Sequence, residues 1–83
     1  MADSIKRKKI IIFTSPSCSW CNRVKDYLRQ KRFSFKEIDV SKDAQAAADM
    51  VRKTGQQGVP VTLINGRPVV GFDRIKIDRL LSA

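Results

Sequence analysis

Apolar residues along the chain form first a short continuous run and then a helical repeat. Three isoleucines and a phenylalanine occupy positions Ile10 to Phe13, and such a run is typical of a strand that is covered on both faces. After a break that contains Pro16, apolar residues recur at helical spacing from about Ser19 to Lys31. The pattern therefore predicts a buried strand followed by an amphipathic helix, whose basic end suits a helix C-terminus.

The middle of the chain predicts a second strand and a second helix. Residues Phe33 to Val40 favour a strand, although their apolar alternation slips phase. The polar segment Ser41-Lys42-Asp43 is typical of a helix start, and Gly55 is typical of a helix end. We expect this helix to pack closely on a sheet through a face of small residues, namely Ala44, Ala47, Ala48 and Val51.

The last third of the chain predicts a hairpin and a final helix. Val61 to Ile64 favour a strand, and Asn65-Gly66 is a strong hairpin signal because both residues tolerate positive φ. Val69-Val70 form the predicted return strand, which Pro68 assigns to a sheet edge. A helix is expected from about Asp73 to Leu81, and its inward face is formed by Ile77, Leu80 and Leu81.

This order of elements predicts one α/β domain over residues 1–83. The first crossover joins parallel strands through a helix and should be right-handed. The hairpin adds an antiparallel pair, which gives a mixed four-stranded sheet in the order β-α-β-α-β-β-α with helices on both faces. That arrangement is the thioredoxin-like architecture.

The composition narrows the chemistry that the domain can perform. The chain contains two cysteines and no histidine, which excludes Cys–His and Ser–His nucleophile pairs and leaves too few ligands for a zinc site within one chain. The net charge is +9, and its densest run is Lys6-Arg7-Lys8-Lys9. A basic binding module is therefore an alternative, but the basic residues are not interleaved with aromatic ones, so no nucleic-acid partner is expected.

We expect no targeting signal from the residues at the start of the sequence. Met1-Ala2-Asp3-Ser4 is polar, and the run from Ile10 to Phe13 is too short for a signal peptide or a membrane span. We therefore expect a cytoplasmic protein with no membrane partner. In a reducing compartment, a close cysteine pair is more often catalytic or metal-binding than structural.

Cys18 and Cys21 are the residues most suited to chemistry, because they open the first helix directly after a buried strand. The free N–H groups of a first helical turn carry partial positive charge, which lowers the pKa of a thiol there and makes it nucleophilic. We therefore predict that Cys18 is the nucleophile. Cys21 lies on the same helix face about 4.5 Å along the axis, at a spacing that a disulfide tolerates. As the deeper cysteine, it is expected to resolve a mixed disulfide formed at Cys18.

Two further sites leave alternatives open. Trp20 lies between the cysteines and either forms an apolar platform beside the reactive sulfur or packs over the neighbouring loop. The Val59-Pro60 bond follows a polar loop and opens a strand, so it is either a cis bond that fixes a tight turn or an ordinary trans bond.

Taken together, these segments resemble the glutaredoxins over nearly the whole chain, especially the short bacterial glutaredoxin-like proteins and the ribonucleotide-reductase redoxins. The matching segments, in order, are Phe13-Thr14-Ser15-Pro16, Cys18-Ser19-Trp20-Cys21, Gly58-Val59-Pro60-Val61, Asn65-Gly66 and Val70-Gly71-Phe72-Asp73. The resemblance implies a thiol–disulfide oxidoreductase with no bound cofactor, acting on disulfide-containing proteins as a monomer, with glutathione as co-substrate.

The resemblance also implies roles for residues outside the cysteine pair. Pro60 would be a cis-proline that faces the disulfide, and the backbone of Val59 would pair with a substrate peptide as an added strand. The turn formed by Gly71, Phe72 and Asp73 would hold the γ-glutamyl end of glutathione. Free N–H groups there would bind its carboxylate, and Asp73 would accept a hydrogen bond from its ammonium.

Departures from the family pattern leave the electron donor open. Ser15 stands where glutaredoxins often carry a lysine, and Phe72 stands where they often carry a second glycine. Gly71-Phe72 is instead similar to the redoxins that take electrons from a thioredoxin-reductase-type flavoprotein. Some glutaredoxins bridge an iron–sulfur cluster between two chains, and Ser19, in place of the more usual proline, keeps this alternative open.

Overall fold

The computed structural model describes residues 8–82, so Met1-Ala2-Asp3-Ser4 and the first half of the basic run lie outside the described residues. The elements in chain order are β1 (Ile10–Thr14), α1 (Ser19–Gln30), β2 (Lys36–Asp39), α2 (Ala44–Thr54), β3 (Val61–Ile64), β4 (Arg67–Val70) and α3 (Arg74–Leu81). The strands form one sheet in the order β2-β1-β3-β4, in which β1 runs parallel to β2 and antiparallel to β3. This confirms the predicted order of elements and the mixed sheet.

Both faces of the sheet are covered, as the continuous apolar run in β1 predicts. Ile10 and Ile12 belong to the larger core, in which Phe33 and the sheet residues Ile64 and Val69 pack with Val24 and Leu28 of α1 and with Ile77 and Leu81 of α3. Phe13 belongs to the smaller core, in which Val61 and Leu63 of β3 pack with Met50 of α2. Successive side chains of β1 thus alternate between the two helical layers.

The packing face of α2 differs from the predicted one. Ala46 and Met50 are buried, Ala47 is half-buried, and the remaining predicted positions, Ala44, Ala48 and Val51, are exposed. Alanines bury too little apolar area to orient a helix, whereas one long methionine gains far more from contact with the sheet. Met50 therefore determines which face of α2 points inward.

The second strand is shorter than predicted because the chain turns after α1. Arg32 adopts a left-handed conformation with φ of 64°, and the N–H of Phe33 donates to the carbonyl of Leu28 at 3.0 Å. Phe33 consequently belongs to the core beside α1, and regular strand pairing begins only at Lys36. The phase slip between Phe35 and Ile38 coincides with the start of regular pairing and not with this turn.

The other element ends shift by a few residues. Lys31 caps α1 instead of lying inside it, and Asp73 is the residue before α3 whose side chain caps that helix. The return strand begins at Arg67, two residues earlier than predicted, and Leu80 is half-buried rather than fully inward. The edge position predicted from Pro68 is confirmed, because β4 ends the sheet.

The hairpin between β3 and β4 has the conformation that Asn-Gly favours. Asn65 and Gly66 have φ values of 50° and 83°, which is the left-handed pair that a two-residue hairpin requires. The side chain of Asn65 also accepts the N–H of Lys9 at 3.2 Å. This bond joins the turn to the start of β1. Within residues 8–82, no helix combines the length and apolar content needed to cross a bilayer.

Candidate active site

Cys18 is the N-cap residue of α1. Its backbone is extended, with φ of −95° and ψ of 105°, and its Sγ accepts the N–H of Cys21 at 3.1 Å. The N–H of Cys18 donates to the carbonyl of Ser15 at 3.2 Å, which closes the turn between β1 and the helix. The first turn of α1 contains no acidic side chain. The helix end therefore favours negative charge on the sulfur of Cys18.

The two cysteines differ in access to solvent. They are joined as a disulfide with Cα atoms 5.3 Å apart, a separation in the ordinary range for such a bond. Cys18 is half-buried, whereas only 1% of Cys21 is exposed. Cys18 is therefore the more exposed residue of the pair.

Residues from the second half of the chain meet this end of the sheet. Phe13, shortly before Cys18, pairs with Val61, which in turn pairs with Val70. The Val59-Pro60 bond is cis, which is one of the two conformations that the sequence left open. The carbonyl of Pro60 accepts the N–H of Gly71 at 2.9 Å.

That hydrogen bond joins two predicted site segments, the loop before β3 and the turn after β4. Gly71 has a φ of 72°, a left-handed conformation in which a side chain would be strained. The predicted site residues from three separate segments therefore lie at one end of the sheet.

An aromatic cluster connects α1 to the turn after β4. The Trp20 and Phe72 ring centroids are 6.3 Å apart, and Tyr27 packs edge-on against Phe72 at 5.7 Å. Trp20 remains 55% exposed, and the guanidinium of Arg23 lies 5.2 Å from the Trp20 ring centroid. Trp20 thus packs against the turn after β4 and keeps much of its surface exposed. Its role as a platform beside the reactive sulfur stays a prediction.

Asp73 lies at the start of α3. Its carboxylate accepts the N–H of Lys76 at 3.1 Å, and the first turn of the helix has no other acidic side chain. A shallow cavity of about 570 Å³ opens beside it, lined by Val70, Phe72, Asp73, Arg74, Ile75 and Asp78. The carboxylate predicted to contact glutathione therefore also caps a helix.

A polar network lies near the end of β1, and no local sequence pattern indicates it. The buried hydroxyl of Thr14 donates to Glu37 at 3.0 Å, and the ammonium of Lys25 donates to the same carboxylate oxygen at 2.9 Å. The hydrogen bond from Lys25 is the main cause that lowers the pKa of Glu37. The network fastens α1 to β1 and β2, and only the strand register that pairs Ile12 with Glu37 brings it together.

Comparison with known proteins decides the family. The family model for glutaredoxin matches residues 10–69. The chain belongs to the glutaredoxin family. A glutaredoxin-like 8.6 kDa protein encoded in the rubredoxin operon of Clostridium pasteurianum is 38% identical over 72 residues, covering 87% of this chain and 96% of the relative.

Two further relatives agree with this assignment. The N-acetyl-S-hydroxy-L-cysteine reductase of Bacillus subtilis is 36% identical over 72 residues, covering 86% of this glutaredoxin and 77% of the reductase. The crystal structure of the thioredoxin-like protein BC3987 superposes with a TM-score of 0.82 at 33% identity, covering 87% of this chain and 99% of that one. This glutaredoxin is therefore an enzyme, a thiol–disulfide oxidoreductase.

Proposed function

We propose that this enzyme reduces two kinds of substrate, protein disulfides and the mixed disulfides that glutathione forms with other thiols. Cys18 is the attacking thiolate and Cys21 is the resolving one. The observation that carries the proposal is the unequal placement of the two sulfurs. Cys18 is the accessible cap that accepts a backbone N–H, and Cys21 is almost fully buried one helical turn further on. The similarity to a reductase of an S-hydroxylated cysteine derivative supports chemistry at an oxidised sulfur.

The reaction takes two displacements at sulfur. The Cys18 thiolate attacks one sulfur of the substrate disulfide, a bond forms to that sulfur, and the other substrate thiolate leaves and takes up a proton. Cys21 then loses its proton, and its thiolate attacks the Cys18 sulfur, which releases the second substrate thiolate. The substrate has gained two electrons, and the enzyme holds the disulfide between Cys18 and Cys21. A dithiol donor, or two glutathione molecules, returns it to the reduced form.

Single serine variants test the two roles. Cys18→Ser should lower disulfide reduction to the uncatalysed rate, because the remaining sulfur is buried. In the Cys21→Ser variant, Cys18 should still attack the substrate disulfide. The resulting covalent adduct at Cys18 should accumulate, and intact-mass spectrometry detects it. If Cys18→Ser formed the adduct and Cys21→Ser did not, the assigned roles would be reversed. If neither variant lost protein-disulfide reduction, the proposal would fail.

We also assign substrate contacts to the loop and turn beside the cysteines. The backbone of Val59 is proposed to pair with an extended substrate segment, and Pro60 is proposed to face the sulfur under attack. The bond between Pro60 and Gly71 supports this assignment, because it holds the loop and the turn together. Gly71→Val should weaken binding of a disulfide-containing peptide in calorimetry, whereas Gly66→Val in the distant hairpin turn serves as the matched control. Equal loss in both variants would contradict the assignment.

The electron donor is glutathione or a thioredoxin-reductase-type flavoprotein. The rim of the site, by which we mean Trp20, Val70, Phe72, Asp73 and Ile75, offers a different feature to each donor. Asp73 and the free N–H groups of α3 suit the charged ends of glutathione. The exposed apolar side chains of Trp20, Val70 and Ile75 suit a protein surface. Phe72 packs against Trp20 within the same rim. Reduction coupled separately to glutathione with its reductase and to the flavoprotein identifies the donor.

A surface variant sharpens that comparison. Ile75 is 73% exposed, so Ile75→Gln should leave stability almost unchanged. It should slow reduction by a flavoprotein several-fold while leaving reduction by glutathione unaffected, because it removes apolar surface without adding charge at the start of α3. Ile75→Leu, which keeps the apolar surface, is the matched control. Equal slowing with both donors would show that the rim does not distinguish them.

A further inference from the structure

The end of the sheet opposite the cysteines carries a concentration of positive charge. The strands β1 and β2 begin there, β3 ends there, and β4 begins there, because β1 is parallel to β2 and antiparallel to β3. These positions are about 16 Å of extended chain away from the end of β1 that precedes Cys18. We call this region the basic end, and it contains Lys9, Lys36, Lys53 and Arg67.

A groove of about 560 Å³ opens at the basic end, between α2 and the sheet. Its apolar lining comes from Ile11 and Leu63, and the hairpin turn at Asn65 and Gly66 forms one wall, while Lys9 and Lys53 complete the lining. The side chain of Asn65 is held by its bond to the Lys9 N–H, so this wall is fixed to β1. The groove is thus a formed concavity with an apolar base and two exposed cations.

The cations of this groove, Lys9 and Lys53, are exposed. Among residues 8–82, the ammonium groups of Lys9 and Lys53 form no ion pair with a carboxylate. The nearest acidic residue along α2, Asp49, already bonds Arg52 and Gln45. With a net charge of +9 on the whole chain, this surface attracts anions and has few acidic groups of its own to offset it.

We propose that the groove at the basic end binds an acidic segment of a partner protein, which inserts one apolar side chain between carboxylates. Ile11 and Leu63 would contact the apolar side chain, and Lys9 and Lys53 would pair with the carboxylates. A protein segment fits better than a nucleic acid, because the described residues that line the groove include no aromatic side chain on which a base could stack. It fits better than a membrane, because the apolar surface is recessed in a groove instead of projecting from the molecule.

The groove lies far enough from Cys18 for a partner to stay bound there during catalysis. Because it lies at the opposite end of the sheet from Cys18, a bound partner leaves the cysteine accessible. The partner would be held beside the enzyme while substrates exchange at the other end. Such tethering raises the effective concentration of a disulfide carried by the same partner.

Binding of a defined peptide tests the proposal. The probe is a fluorescein-labelled Glu-Glu-Leu-Glu-Glu peptide, and its binding to the full chain is followed by fluorescence anisotropy. The variant carrying both Lys9→Glu and Lys53→Glu should bind about tenfold more weakly, since two exposed ion pairs are replaced by repulsion. The variant carrying Lys42→Glu and Lys76→Glu has the same change in net charge away from the groove, and it should bind nearly as well as the wild type.

Matched probes separate this site from general attraction to anions. Replacing the peptide's leucine by serine should weaken binding several-fold, because the apolar base of the groove then has no partner. Equal loss of binding in the two double variants, or equal binding of the two peptides, would overturn the proposal. Tighter binding of an oligothymidylate of equal charge would assign the surface to nucleic acid. Tighter binding of phosphatidylserine vesicles would assign it to a membrane. Reduction of a small disulfide by the Lys9→Glu, Lys53→Glu variant should remain unchanged.

Discussion

Replacing Asp73 should separate two properties that meet in one carboxylate, the stability of α3 and the recognition of glutathione. The Asp73 side chain accepts the N–H of Lys76, and no other acidic side chain lies in the first turn. Asp73→Ala removes a cap worth about 1 kcal/mol and a favourable interaction with the helix dipole worth about 0.5 kcal/mol. Because α3 supplies Ile77 and Leu81 to the core, this cost falls on the whole domain.

Asp73→Asn should behave differently, because the amide oxygen still caps the helix while the charge is lost. We expect it to cost about 0.5 kcal/mol, against about 1.5 kcal/mol for Asp73→Ala. In a domain of this size, 1 kcal/mol corresponds to roughly 4–8 °C in Tm. If the carboxylate binds the glutathione ammonium, both variants should raise the KM for glutathione to a similar extent.

The assay combines thermal unfolding, followed by circular dichroism, with glutathione-coupled reduction. Asp43 provides the matched control, since it caps α2 in the same way through the N–H of Ala46 at 3.0 Å. Its alanine and asparagine variants should reproduce the stability losses without changing the KM for glutathione. The reasoning would be refuted if Asp73→Asn melted like Asp73→Ala, or if the Asp43 variants changed the KM equally.

Three further measurements test other features of the structure. The Thr62 hydroxyl is buried, has no hydrogen-bond partner among residues 8–82, and belongs to a residue that is 0% exposed, so Thr62→Val should raise the free energy of unfolding by up to about 1 kcal/mol in urea titrations. Glu37, 39% exposed, has a lowered pKa, so its stabilisation, below about 1 kcal/mol, should be present above its unfolded pKa and lost as pH falls through its folded pKa. The stability of the Glu37→Gln variant should lack that pH dependence. A variant whose stability varied with pH as the wild type does would contradict the assignment to Glu37. Oxidation of Cys18 should change Trp20 fluorescence, and an unchanged spectrum would contradict the assigned geometry.

Local signals were sufficient to predict much of this fold. The apolar run of β1 and the Asn65-Gly66 turn each depend on a few neighbouring residues, and both have the predicted structure. The placement of Cys18 at the start of α1 also followed from its position after a strand. These features could be predicted because short stretches of chain determine them.

Features that depend on distant residues could not be predicted in the same way. The prediction for the inward face of α2 was wrong, because the four alanines of the helix are similar and only packing against the sheet favours burial of Met50. The contact of Thr14 with Glu37 needs the register between β1 and β2. The groove that contains Lys9 and Lys53 needs the hairpin to fold back beside α2. Each of these depends on residues brought together by tertiary packing.

The three helices show why Cys18 suits its proposed role. Each helix is capped by a side chain that accepts the N–H three residues further on: Cys18 in α1, Asp43 in α2 and Asp73 in α3. In α2 and α3 that position holds a carboxylate, whose negative charge a helix N-terminus stabilises. In α1 it holds a sulfur, which resembles those carboxylates only when it is a thiolate. The same hydrogen bond that caps α2 and α3 therefore favours the thiolate form of Cys18, which thiol–disulfide exchange requires.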